Sequence, residues 1–454
     1  MMPEKRWTEQ MVFCFFKSQK KAAGNLVEQQ IAKIKVLVSF CDETAYLQGQ
    51  KILTLVKAQS FVDATSSTES GSKYIAAFEN NNFFDLWDSG LDLLKKYQSD
   101  VLLRVFVVQN RVHIKFQNTR MYQSDKIPFF SVLNSLDLPL TYFQSEQMPA
   151  QISALIVNII IALSGADNVM YRNTFTKNLK FLSQNKMPDN TPNAFLPNML
   201  NFLALMYMTH KYETFRQRDA TPVLNLLKSA FKNADLNDVI VQGNLYACLG
   251  QMYQCALADQ NADAYLLIRR ATQSYKKALK YFNRYVFVYD YGRLSLVLSN
   301  LYFKFYRLSD DNQALRDAIA HLREAEQIFT MSGHPFVWAV IQDRLGKYLS
   351  LIGAKSLNLE IGQMAVECLK NKQKVYTKEY APDMWAQTEA DIGEIYDHLG
   401  RGHFNIGLLE KAMTCYETAI EVFQSLSQTT KVHELEITIL RTTDVLARRY
   451  YDEV

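Results

Sequence analysis

Across residues 194–430, apolar positions recur at spacings of three, four and seven, the period of helices that each bury one face. The pattern itself repeats. Ala271, Ala318, Ala365 and Ala412 lie 47 residues apart, and Phe282, Phe329, Tyr376 and Phe423 keep the same step. So do the pairs Trp338/Trp385, Pro335/Pro382 and Gly346/Gly393. Five registers on one period predict an array of helical units that bury their apolar faces by stacking.

Each unit holds two pieces. The first reads large apolar, small, two variable, large, as in Leu203-Ala204-x-x-Tyr207, Leu249-Gly250-x-x-Tyr253, Leu298-Ser299-x-x-Tyr302, Leu345-Gly346-x-x-Leu349 and Ile392-Gly393-x-x-Tyr396. The second reads small, three variable, aromatic or Leu, two variable, small. It occurs as Ala271/Tyr275/Ala278, Ala318/Leu322/Ala325, Ala365/Leu369/Lys372 and Ala412/Tyr416/Ala419, with a poorer copy at Leu227/Phe231/Ala234. Small residues let two helix axes approach, and a large residue one turn away fills the gap between neighbours. One unit is therefore a hairpin of helix A and helix B.

These two elements together resemble the tetratricopeptide repeat (TPR) family, over about residues 194–430. The unit is longer than the roughly 34 residues usual there, which implies extended helices and an extended A–B loop. Lys372, Leu349, Ser299 and Leu227 depart from the expected residue types. The resemblance implies a mainly α fold: a right-handed α-solenoid of about five helix hairpins, preceded by a different N-terminal region. Pro335 and Pro382 sit where a first helical residue is expected, and Gly353 and Gly400 where a left-handed residue closes helix A. The amphipathic segment Glu434–Arg449 has Leu435, Ile439, Leu440, Val445 and Leu446 on its apolar side and Arg441, Arg448 and Arg449 for water. It reads as the cap such arrays need.

The first 148 residues are patterned differently. Residues 101–117 form two β-rich runs around Gln109-Asn110, a hairpin signal. Lys35–Phe40 and Met11–Phe16 are further strand candidates, and residues 20–33 have helical composition. Residues 84–97 are amphipathic with a helical period, whereas Asp63–Ser72 is polar and reads as a loop or linker. The expected organisation is a small α+β (or α/β) domain over 1–148 and a helical connection or atypical first hairpin over 149–193. The hairpins of 194–430 and a capping helix over 431–454 follow.

Composition narrows the function. Net charge is only +4 in 454 residues. The first 190 carry 21 Lys and Arg against 17 Asp and Glu, and the rest is balanced at 29 each, so the totals do not demand a nucleic-acid-binding face. A basic stripe through Arg269, Lys276 and Lys280 is the weak exception, read as the solvated outer face of a helix B. Hydrophobic residues are 48% of the chain, enough for a large core. The longest apolar run, Ile152–Leu163, falls short of the roughly 18 residues that cross a bilayer and reads as a buried helix. Six cysteines without a CxxC, all at apolar positions, point to buried thiols in a reducing, cytoplasmic setting. Gly400-Arg401-Gly402 follows a helix and lacks the third glycine of a dinucleotide loop. There is no Walker A motif, HExxH or GxSxG. No cofactor, metal or catalytic residue is expected.

By the resemblance, the A helices line a concave groove that takes a protein or peptide. Its inward positions are Asn198, Asn201, Asn244, Gln251, Gln254, Arg293, Asn300, Lys304, Asp343, Lys347, Glu394 and Asp397. Amides suit an extended peptide backbone, and Arg293, Lys304 and Lys347 suit acidic groups. The expectation is a non-catalytic scaffold or adaptor. One alternative is a regulator whose N-terminal domain acts while the array senses a peptide or protein. Another is an enzyme that binds a nucleotide or metabolite through the N-terminal domain.

Overall fold

The computed structural model describes residues 33–452 apart from 42–44, 70–83, 109, 119–134, 145–147, 165–168, 189–190, 212–214 and 261. The strand candidate Met11–Phe16 and most of the 20–33 helix lie outside these residues. The described chain is mainly helical, with a five-stranded sheet in its N-terminal part.

The sheet runs β2-β1-β3-β4-β5. Strand β1 (Ile34–Cys41) pairs in parallel with β2 (Val62–Glu69) and β3 (Val101–Val108). Helix α1 (Tyr46–Lys57) connects β1 to β2, and α2 (Phe84–Lys96) lies between β2 and β3. The expected hairpin then adds β4 (Arg111–Asn118) antiparallel to β3, with Asn110 in the left-handed region at φ 61°, and β5 (Leu136–Pro139) completes the sheet. The parallel half is thus α/β and the antiparallel half α+β. Strand β2 corrects the loop expected at Asp63–Ser72. Its Asp-Ala-Thr-Ser-Ser-Thr-Glu run is polar because β2 is an edge strand, with Asp63, Thr65, Ser66 and Thr68 exposed. An edge strand tolerates such residues.

One face of the sheet, carrying Val36, Val38, Leu103, Val105 and Ile114, packs into a core shared with α1, α3 (Ala150–Ser164) and α5 (Leu196–Lys211). Helix α3 is apolar almost all round because it is buried between the sheet, α4 (Val169–Gln184) and α5. Its one polar interior residue, Asn158, donates to the Phe175 carbonyl at 3.1 Å and accepts from Asn178 at 3.0 Å.

Five hairpins follow: α5 with α6 (Gln217–Asn233), α7 (Val239–Ala256) with α8 (Ala264–Tyr281), α9 (Val288–Ser309) with α10 (Asn312–Glu326), α11 (Pro335–Ser356) with α12 (Leu359–Gln373), and α13 (Pro382–His403) with α14 (Ile406–Ser425). Each helix also packs on the next. The small residues do what their spacing predicts. A Cβ on Gly250 would lie 2.9 Å from the Tyr275 ring, one on Gly346 2.7 Å from Leu369, and one on Gly393 2.6 Å from the Tyr416 ring.

Two expectations about helix ends need correction. Gly353 and Gly400 lie inside α11 and α13, and the left-handed closing residues are Leu357 (φ 49°) and Phe404 (φ 56°). The glycines instead accept the closing bonds, from Asn358 at 3.1 Å and Asn405 at 2.9 Å. The A–B loops of the last three hairpins are also short. Asp310-Asp311, Leu357-Asn358 and Phe404-Asn405 each span the whole connection, and the second residue caps the next helix. The extra length of the unit therefore sits outside the A–B loops, in the helices and in the links between hairpins. The prolines open α11 and α13 as expected.

The final helix, α15 (Thr429–Asp452), exposes Arg441 and Arg448 and buries Leu446. Leu440, counted as apolar-face, is 69% exposed. It falls 47 residues after Gly393, where the earlier A helices meet a side chain of helix B, and no helix B follows it among the described residues.

Candidate partner-binding groove

The second face of the sheet decides how much of the expected groove is open. Helix α2 covers its beginning, where Leu94 packs on Leu37 and Leu102. Its far end meets the hairpins. Cys41, the last residue of β1, and Phe106 of β3 share one cluster with Ala247 of α7 and with Phe287, Leu294 and Leu298 at and in α9.

The polar residues of this face follow from strand register. Phe106 lies opposite His113 and stacks on it at 4.9 Å. His113 lies opposite Asp137, whose Oδ1 is 2.6 Å from His113 Nδ1 and accepts from Ser135 Oγ at 2.5 Å. Histidine and serine thus converge on one carboxylate oxygen. This is a cross-strand polar cluster, without the base placed between nucleophile and acid that acyl transfer uses. Arg104 lies opposite Lys115. Burial, then the Arg104 charge, lowers the Lys115 amine to about 8, against the opposing pull of Asp137 and Asp290. Asp290 belongs to α9, so the sheet's charges and the array's act on one another.

The expected groove residues divide accordingly. Asn198, Asn201, Asn244, Gln251 and Arg293 are buried. Asn198 donates to the Ser135 carbonyl at 2.5 Å, beside β5. At Asn198 the surface is occupied by the chain's own sheet. Gln254 accepts from Tyr275 at 3.1 Å and so braces a hairpin. Asn300 and Lys304 are half-buried.

Further along, the surface is open and charged. Lys372, the residue that departs from the small type in its motif, is buried and reaches Asp343 at 2.7 Å. Asp343 also meets Lys347 at 3.2 Å, and Lys347 meets Asp391 at 3.6 Å. Burial pushes Asp343 up, but Lys372 and Lys347 outweigh it and hold the carboxyl below the usual range. Asp397 pairs with Arg401 at 2.8 Å and accepts from Thr442 of α15 at 3.0 Å. Glu394 is exposed. Between α11 and α13 lies a cleft of about 270 Å³ lined by Lys347, Ser350, Leu351, Asp391, Glu394 and His398, among others. Sequence reasoning missed Lys372 and Asp391 as parts of this surface. The departure of Lys372 from its motif was the available signal.

The remaining candidates are structural. On α8, Lys276 lies over the Tyr302 ring and Lys277 over the Tyr246 ring, each at 5.2 Å, while Arg269 and Lys280 are exposed. His403 meets the Leu357 carbonyl at 2.5 Å and His398 the Ala354 carbonyl at 3.4 Å, and no metal-holding group occurs among the described residues. Burial drives the Cys255 thiol to about 12 and Cys248 well above its ordinary value. No described helix is long and apolar enough to cross a membrane.

No protein-family model and no curated protein matches the chain. Among solved structures it is similar to BtubC (BKLC) from P. vanneervenii, at 16% identity and a TM-score of 0.38, covering 57% of this chain and 93% of that one. A likeness of that degree carries no argument about function.

Proposed function

We propose that the chain is a non-catalytic interaction module, a TPR-like right-handed solenoid that binds a protein or peptide on the concave face of its A helices. The open half of that face, along α11 and α13, is the binding surface. The sheet takes the other half as a permanent seat. The observation that carries this reading is the split in burial: Asn198, Asn201, Asn244 and Arg293 are covered, while Lys347 and Glu394 reach solvent beside a cleft. Supporting it are the small-to-large contacts of Gly250, Gly346 and Gly393, which recur in three of the five hairpins, as stacked repeats require.

The test is site-specific photo-crosslinking. A photoreactive residue at Ser350, in the cleft, should capture a discrete protein from extract of the source cells. The same residue at Gln273, on the outer face of α8, should not. Equal yields at the two sites would defeat the assignment.

A second reading, the regulator, draws on one feature. The sheet is seated against the A helices, so a ligand lying along the groove abuts it. Under this reading, occupancy of α11 and α13 changes hydrogen exchange in β3–β5.

A further inference from the structure

We infer that the open half of the groove takes a basic, extended peptide, with a lysine or arginine side chain entering the cleft between α11 and α13 toward Glu394. This rests on the interaction reading above and names the chemistry of the partner.

The argument is one of charges already used and charges left over. Lys347 lines the cleft and, by sequence, would receive an acidic group. Its charge is committed: Asp343 and Asp391 flank it at 3.2 and 3.6 Å, and although burial works against it, they raise its amine above the ordinary value. Lys372 is committed to Asp343, and Arg401 to Asp397. Three carboxylates, Asp343, Asp391 and Glu394, face two lysines, and the surplus is negative. Glu394 carries it. This residue is exposed and has no salt-bridge partner among the described residues. Burial, then Asp391, pushes its carboxyl up against the weaker opposing pull of Lys347, with Asp397 adding to the rise. A cation brought to this point relieves the repulsion among the three acids.

The cleft's shape suits the same ligand. Leu351, Ile395 and Leu399 give it apolar lining, and Asp391 and Glu394 acidic lining. A lysine or arginine stem lies against apolar surface while its head stays polar. The chain as a whole carries +4, so bulk attraction works against a basic peptide, and any preference for one must be local.

The experiment uses the full chain and three fluorescein-labelled decapeptides, alternating Ala-Lys, Ala-Glu and Ala-Gln, read by fluorescence anisotropy at low and high salt. The Ala-Lys peptide should bind best and weaken with salt. Glu394→Lys should weaken it by about tenfold, while Glu421→Lys, the same charge change on the exposed outer side of α14, should leave it unchanged. Equal losses in the two variants would reduce the effect to bulk charge and overturn the proposal. If Ala-Glu or Ala-Gln binds best and responds to Glu394→Lys, the partner chemistry is wrong while the groove reading stands. If no peptide responds, the proposal falls, and crosslinking from Ser350 decides whether the groove reading falls with it.

Discussion

The two halves of the A-helix face are built from the same repeat yet serve different ends. On α5, α7 and the first part of α9, amide and charged side chains are buried and behave as interior groups, Asn198 beside β5. On α11 and α13, acids and lysines at equivalent positions pair with one another and remain at the surface. A repeat register therefore specifies which way a side chain points. It does not specify whether water or protein meets it there.

The sharpest way to break this distinction is to truncate a side chain on each side of it. Phe106→Ala removes a buried ring from the contact between sheet and hairpins and should cost about 3–5 kcal/mol in denaturant unfolding. Glu394→Gln in the open half should stay within about 0.5 kcal/mol. Similar costs would mean that both halves are structural.

Next comes the scaffold beneath the open half. Ala365 and Ala412 are fully buried, and the Ala365 carbonyl sits 3.1 Å from where a Gly346 Cβ would be. Ala365→Leu or Ala412→Leu should overpack and lose about 1–3 kcal/mol. Unchanged stability would sink the register on which the groove is drawn.

The covered half should also carry a pH signature. The Lys115 amine titrates at about 8 in the folded chain, below its ordinary value of 10.5. Between those limits the unfolded chain holds more protons, so stability rises with pH. The gain should be of order a few kcal/mol, since the amine nitrogen is fully buried. Lys115→Met should remove that part of the slope. A slope identical in the variant would show that the sheet's seat does not strip water from the amine.

The smallest effect separates one hydrogen bond from a surface contact. Asn198→Ala leaves the Ser135 carbonyl without its donor and should cost about 1 kcal/mol, measured by the shift in urea midpoint. A neutral result would place Asn198 with the open residues.

The hairpins were legible because their chemistry is local and periodic. Gly393 and Tyr416 announce a close contact by spacing alone, and Pro382 announces a helix start. The shared core was not legible, since nothing in Asn198 reveals that its amide will meet the Ser135 carbonyl, 63 residues earlier beside β5. Strand β2 was hidden for a related reason. Its side chains are polar because it is an edge, and composition reads polar runs as loops. The helix ends were misjudged because glycine was given the left-handed position, which Leu357 and Phe404 occupy instead. At the candidate site, the pairing of Lys347 with Asp391 was not legible, because Asp391 belongs to a different repeat.

The two-residue turns have a consequence for how this chain can vary. An insertion at Leu357-Asn358 or Phe404-Asn405 would separate the left-handed closing residue from the asparagine that caps the next helix, and so disturb the seating of Ala365 or Ala412. The eight-residue links 327–334 and 374–381 between hairpins have room to absorb extra chain. Length changes, epitope tags and engineered cleavage sites should be accepted in those links and rejected at the turns, so the molecule has one permissive rim and one closed to insertion.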